Sequence, residues 1–173
     1  MMNVDEVIIV NEKDDVLGYM NKLEAHQKRV LHRAISVFIF NSKGEWLIQQ
    51  RAAHKYHSSN LWSNSACSHP MRSEPELAAA ERRLKEEMGI KTGLNKLFSF
   101  QYEAKLDSEL VENELDHVFI GYSDSLPVVN PEEVADYKYV STEDLSMELV
   151  VFPQNFTEWF KLLFQRVRQE IEQ

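Results

Sequence analysis

The 173 residues hold one cysteine, five glycines and five prolines. A single cysteine cannot close an internal disulfide, so a reducing, cytoplasmic compartment is expected. The glycines and prolines are scattered, and there is no linker, repeat or low-complexity tract. The chain therefore reads as one domain over residues 1–173, long enough to bury a sizeable core. No apolar run approaches the roughly 20 residues that span a bilayer. Met1-Met2-Asn3-Val4-Asp5-Glu6 lacks the basic start and apolar core of a secretory signal. Basic residues are the minority, 19 against 28 acidic ones, for a net charge of −9. That balance argues against a nucleic-acid or membrane-surface binder, because both need a positive field. A small anion held by a few local basic groups remains compatible with it. The hydrophobic share of 43% and the charged share of 27% are those of an ordinary globular protein.

The residue pattern predicts an α+β fold, a mixed or mostly antiparallel sheet with helices packed on it. Glu6 to Val10 and Val16 to Met20 read as strands around a polar turn. Asn21 to Leu31 reads as a connection with a helical turn. Ala34 to Phe40 is a β-branched and aromatic run, hence a buried strand. Asn41-Ser42-Lys43-Gly44-Glu45 is hairpin chemistry leading into a partner strand, Trp46 to Gln50. Arg51 to Asn60 is a polar, basic loop. Pro75 to Met88 has a helical period on Leu77, Ala80, Leu84 and Met88, with Gly89 placed to cap it. Leu97 to Leu106, His117 to Tyr122 and Tyr137 to Val140 read as strands. Thr142 to Met147 reads as a short helix, and Gln154 to Glu170 as an amphipathic one bearing Phe156, Trp159, Phe160, Leu163 and Val167.

Chemistry concentrates in two places. Trp62-Ser63-Asn64-Ser65-Ala66-Cys67-Ser68-His69-Pro70 carries the lone cysteine two positions before a histidine. Val111-Glu112-Asn113-Glu114 carries two carboxylates at i, i+2, which share one face of a strand. Two carboxylates on one face repel unless a cation sits between them. Taken alone, Cys67 reads as a small buried hydrophobe, and His54, His57 and His117 as surface or hydrogen-bonded residues. In an acidic protein, the basic groups Arg51 and Lys55 just before the cysteine segment lean toward anion binding.

Arg82-Arg83-Leu84-Lys85-Glu86-Glu87-Met88-Gly89-Ile90 resembles the end of a Nudix box, and Glu74, Arg82, Leu84, Glu86, Glu87, Gly89 and Ile90 fall in its register. In that motif, carboxylates a turn apart gather a divalent cation that bridges a diphosphate. Two positions depart from it. Ser68 stands where the motif has glycine, and Arg83 stands where a hydrolase has a glutamate. An arginine there removes a metal ligand and adds a phosphate-binding fork.

These departures, with the cysteine segment and Glu112-Asn113-Glu114, make the chain resemble type 1 isopentenyl-diphosphate isomerases from Glu6 to the last helix. The resemblance implies interconversion of isopentenyl and dimethylallyl diphosphate by adding a proton at one carbon and removing one from another, without a redox cofactor. It implies Cys67 and Glu114 as catalytic residues, assisted by Tyr102. It implies His26, His32, His69, Glu112 and Glu114 as ligands of a first metal ion, with Mn²⁺, Mg²⁺ and Zn²⁺ all compatible. A second ion, Mg²⁺, would be held with the diphosphate by Glu87 and the Cys67 carbonyl. Lys22, Arg51, Lys55 and Arg83 would bind the diphosphate. The partner is then a small allylic or homoallylic diphosphate, not nucleic acid or membrane, acted on by a monomer or homodimer. The family's tryptophan before its last helix has no counterpart in Phe152-Pro153-Gln154-Asn155-Phe156, which leaves Phe156, Trp62 or Tyr102 to face the reacting carbons.

The chemistry needs a dry pocket. Protonating an alkene makes a tertiary carbocation that water would quench, so an acid and a base must flank a short carbon chain. Glu114 is expected to deliver one proton and Cys67, as thiolate, to collect the other, with the roles reversed in the reverse direction. Two other functions compete: a Nudix pyrophosphohydrolase acting on a nucleotide or small diphosphate, and a non-catalytic domain that binds metal or diphosphate.

Overall fold

A computed structural model describes residues 5–173, so the opening Met1-Met2-Asn3-Val4 lies outside the described residues. Nine strands form one mixed sheet. They are β1 (Glu6–Val10), β2 (Val16–Asn21), β3 (His32–Phe40), β4 (Trp46–Arg51), β5 (Trp62–Ser63), β6 (Ala66–Ser68), β7 (Leu94–Lys105), β8 (Val111–Tyr122) and β9 (Val134–Val140). Four helices accompany them: α1 (Lys22–Lys28), α2 (Glu76–Met88), α3 (Thr142–Val151) and α4 (Glu158–Ile171). The α+β expectation holds.

β3 is the organising strand. It runs parallel to β8 from His32↔Glu114 to Phe40↔Tyr122. It pairs antiparallel with β1, β4 and β6. Ser36 is opposite Cys67 on one edge and Val118 on the other, so β6 and β8 flank β3 on its two edges. Because side chains alternate along a strand, β3 divides its residues between two cores. Phe38 and Phe40 join Trp46, Ile48 and Val118 under Trp159, Phe160, Leu163, Phe164 and Val167 of α4. Ile35, Val37 and Ile39 join Leu47 and Phe119 under Ala79, Ala80, Leu84 and Met88 of α2. Burial of these apolar side chains on both faces stabilises the sheet behind the site.

Helix ends follow local chemistry. The Asn21 side chain accepts from the Leu23 and Glu24 amides and starts α1. Pro75 precedes α2 in an extended conformation, just outside the first turn where the sequence put it. Gly89 ends α2 at φ 65°, and a Cβ there would meet the Val128 carbonyl oxygen at 2.6 Å, so glycine is required twice over.

Several boundaries differ from the sequence reading. β3 begins at His32 rather than Ala34, and β7 at Leu94 rather than Leu97. β8 begins at Val111, so the carboxylate pair and the apolar run after it are one strand. β5 and β6 have only two and three residues, too short to show a period. α3 runs on to Val151 instead of ending at Met147. α4 starts at Glu158, not Gln154, because Pro153–Asn155 forms a separate turn and Thr157 caps the helix by accepting from the Phe160 amide. No described helix is long and apolar enough to cross a membrane.

Candidate active site

A cleft of about 320 Å³ opens where β4, β6, β8, α2 and the start of α4 converge. Of the residues named from sequence, Lys22, Arg51, Lys55, Cys67, His69, Arg83, Glu87, Tyr102, Glu112 and Glu114 line it. His26 and His32 lie behind its wall, fully buried. Cys67 and Glu114 thus enter one cavity from strands on opposite edges of β3.

At the metal-ligand end Glu114 Oε1 lies 3.0 Å from His69 Nε2 and 3.3 Å from His32 Nε2. Tyr102 Oη lies 2.7 Å from Glu114 Oε2 and 2.9 Å from Glu112 Oε2, so one phenol proton serves two carboxyl groups. Burial raises both acids. The contacts with His32 and His69 reverse this for Glu114 and hold it well below the usual carboxylate range. Glu112, next to the Glu114 charge, stays well above it. Burial also lowers His26, to about 4, and His57, to about 2, so both imidazoles are neutral.

The cluster fits a divalent ion. His26 Nδ1 donates to the Lys22 carbonyl and His32 Nδ1 to the Val30 carbonyl, each at 2.8 Å. Both Nε2 atoms are then lone-pair bearers, and both are buried without a hydrogen-bond partner. Histidine metal ligands are oriented by such bonds. Ligand atoms of His26, His32, His69 and Glu114 lie within 4.8 Å of one another. Glu112 belongs instead to a second such group with His26 and His57.

Two of the cleft's cations are paired. Arg83 Nη2 lies 2.8 Å from Glu87 Oε1 and 3.4 Å from Glu133 Oε2, and Lys55 pairs with Glu133. Gln49 Nε2 donates to Glu87 Oε2 at 2.7 Å. Arg83 Nη1 and Arg82 Nη1 both hold Glu86, and Arg82 holds Glu74 through Nε and Nη2. The Nudix carboxylates Glu74, Glu86 and Glu87 are each paired with a guanidinium group. Lys22 Nζ stands 5.5 Å over the Tyr56 ring, and Arg51 Nε is buried without a hydrogen-bond partner.

Three sequence expectations change. First, Cys67 was expected as a thiolate, yet burial and then the Glu87 charge push its thiol above the ordinary value, so it rests protonated in the ion-free protein. Second, an aromatic wall is present: Trp159, 2% exposed, lines the cleft with Arg51 Cζ 5.2 Å over its ring. Trp159 follows Phe156-Thr157-Glu158, and Asn155 does not line the cleft. Phe156 is instead locked in the core, stacked on Phe160 at 5.7 Å. Trp62 lies outside the cleft, under Lys138. Third, of the histidines read as surface or hydrogen-bonded, His57 and His117 are buried and hydrogen-bonded, to Ser58 Oγ and Lys96 Nζ. His57 lines the cleft, whereas His117 lies elsewhere, between Asp14 and Lys96.

Glu133 and Asp116 were not anticipated. Glu133 sits in a loop with no motif. Asp116, 1% exposed, takes a 2.7 Å bond from Ser36 Oγ and extends the alternation of Glu112 and Glu114 along β8. That alternation was readable in the sequence.

The NUDIX domain profile matches residues 30–160. An isopentenyl-diphosphate Delta-isomerase of Pectobacterium atrosepticum is 48% identical over 96% of this chain and 93% of its own. One from Photorhabdus laumondii is 46% identical over 98% and 97%. Among solved structures, a Deinococcus radiodurans protein superposes with a TM-score of 0.78 at 20% identity, over 93% of this chain and 98% of its own. A MutT protein of Methanosarcina mazei superposes with 0.68 at 21% identity, over 83% and 96%. At those identities the two structures speak for the fold alone. The chain belongs to the Nudix family and, within it, to the isopentenyl-diphosphate Delta-isomerases.

Proposed function

We propose that the protein interconverts isopentenyl and dimethylallyl diphosphate, with residues 1–173 acting as one catalytic unit. The observation that carries this reading is the composition of the cleft. Cys67, Glu114 and the Trp159 ring line it together with the cations Lys22, Arg51, Lys55 and Arg83. A short hydrocarbon joined to a diphosphate calls for both sets. Lys22, Arg51, Lys55 and Arg83 bind the phosphates, and Arg83 does so by exchanging part of its contact with Glu87 and Glu133 for phosphate oxygens.

Protons are exchanged with carbon from two sides. On one side Glu114, bridged to Glu112 by Tyr102, gives or takes a proton. On the other, Cys67 Sγ does. With the proton on Cys67 and Glu114 ionised, one direction has Cys67 as donor and Glu114 as acceptor. The opposite direction, with Glu114 as donor, starts from the complementary protonation state. The Trp159 ring presents its electron-rich face to the cationic carbon between the two transfers. Burial of the surrounding groups keeps water away from that cation.

His26, His32, His69, Glu112 and Glu114 would hold a divalent ion whose charge strengthens Glu114 as an acid. The imidazole-rich donor set suits Mn²⁺ or Zn²⁺ better than Mg²⁺. Glu87 and the Cys67 carbonyl would hold Mg²⁺ arriving with the diphosphate.

Incubation with Mg²⁺, Mn²⁺ and isopentenyl diphosphate tests the reading. An acid-labile allylic diphosphate with no free phosphate is expected. Release of phosphate without an allylic product would instead establish a pyrophosphohydrolase. Tight diphosphate binding without either product would mark a non-catalytic domain.

A further inference from the structure

Glu133 lines the cleft among its cations, yet the reaction outlined above gives it no task. Its Oε2 lies 3.4 Å from Arg83 Nη2, and the same oxygen takes the Lys55 ammonium. Burial alone would raise this acid. The contacts with Lys55 and Arg83 outweigh it and hold the carboxyl below its ordinary range, so Glu133 is ionised. One carboxylate oxygen therefore bridges two of the four groups assigned to the phosphates, as a phosphoryl oxygen would. Arg83 does not need Glu133 to fix its place, because Glu86 and Glu87 each take its guanidinium at 2.8 Å.

The backbone keeps this carboxylate in the cleft. The Val128 amide donates to the Met88 carbonyl at 2.8 Å and the Asn130 amide to the Glu87 carbonyl at 3.0 Å, which docks the loop on the C-terminal end of α2. The Glu133 amide donates to the Asn130 carbonyl at 2.9 Å, and its own carbonyl accepts from the Ala52 amide at 3.1 Å. Val134 then enters β9 opposite Arg51. The Glu132 side chain is 83% exposed, so the turn sends one carboxylate into solvent and the next into the cleft. With its backbone tied on both sides, Glu133 meets any phosphate that comes between Lys55 and Arg83.

We propose that Glu133 is a built-in competitor for the diphosphate: it fills the position between Lys55 and Arg83 in the free enzyme and weakens the hold on substrate and product alike. The proposal rests on the diphosphate reading above and extends it. Isopentenyl and dimethylallyl diphosphate carry the same headgroup, so unopposed cations would bind both equally. Such uniform binding does not speed the chemical step, and it slows product release. A fixed negative charge beside the phosphates costs affinity by like-charge repulsion and shortens the time the product stays bound.

Calorimetric titration of the full-length protein with inorganic pyrophosphate in the presence of Mg²⁺ tests this. Glu133→Gln keeps the bulk and can still accept from Lys55. It should bind pyrophosphate roughly tenfold tighter than wild type, and its KM for isopentenyl diphosphate should fall in the same direction. Glu133→Asp keeps the charge but withdraws it by one methylene. It should fall between the two and carries the test if the glutamine variant does not fold. Pyrophosphate affinity that is unchanged or weaker in the folded variants would overturn the competitor role and leave Glu133 a support for Lys55. A wild type that binds no pyrophosphate would overturn the diphosphate reading and this extension together.

Discussion

Replacing Trp159 by Leu separates the catalytic from the packing role of an aromatic ring. The ring is 2% exposed, lines the cleft and carries the Arg51 guanidinium 5.2 Å from its centroid. A desolvated cation–π contact contributes about 2 kcal/mol, and losing that from the transition state lowers kcat by roughly 30-fold at about 1.4 kcal/mol per tenfold. The packing cost is separate. Truncating a buried tryptophan to alanine costs about 3–5 kcal/mol, and leucine refills part of the space, so about 2–3 kcal/mol is expected. Trp62→Leu is the control, because Trp62 packs against the same core but faces Lys138 outside the cleft. Steady-state rates with isopentenyl diphosphate, alongside urea unfolding of both variants, measure the two effects. Trp159→Leu should lose kcat more than KM changes, with Trp159→Phe between it and the wild type. Trp62→Leu should lose stability with kcat within about twofold of wild type. A Trp159→Leu enzyme within about threefold of the wild-type kcat would refute the claim that this ring faces the cation.

Other perturbations have equally defined outcomes. Cys67→Ala should abolish turnover while circular dichroism and the urea midpoint stay near wild type, and near-normal rates would remove the sulfur from the mechanism. Arg83→Met leaves Glu87, 3% exposed, without its cation. Breaking such a pair costs about 3–5 kcal/mol, and KM should rise with it; a urea-derived loss under about 1 kcal/mol would contradict this. His57 is neutral in the folded protein, with its pKa lowered from 6.5 to about 2. The unfolded chain takes up that proton below pH 6.5 and the folded one does not, so the stability this group confers is lost as pH falls. In chelator, His57→Gln should therefore lose less stability than wild type on acidification from pH 6.5, by about 1.4 kcal/mol per pH unit. Parallel pH–stability curves for the two proteins would contradict that origin.

Much of the site was legible because its chemistry sits on regular elements. The i, i+2 spacing of Glu112 and Glu114 survives on β8, and the helical register from Glu74 to Ile90 survives on α2. Arg83, Glu86 and Glu87 interact as their i, i+3 and i, i+4 spacing dictates. Residues held by irregular backbone were harder to read. His57 lies between Tyr56 and Ser58 in a loop whose positive φ values fall on Ser58 and Asn60, and neither is the glycine that would advertise such a turn. Trp159 was assigned to core packing because it belongs to an amphipathic stripe. Trp159 does pack in that core and also lines the cleft, a second role that the helical period does not reveal. The resting thiol of Cys67 reflects three-dimensional burial, on which the local sequence is silent.

The most direct test follows the reaction in deuterium oxide by NMR, with wild type and Cys67→Ala side by side. The account predicts that the wild type converts isopentenyl diphosphate to dimethylallyl diphosphate with solvent deuterium carried into the new methyl group, and that Cys67→Ala yields no isomerised product. Product formed without solvent deuterium, or formed as readily without the sulfur, would contradict proton transfer between Cys67 and Glu114 across a shared cleft.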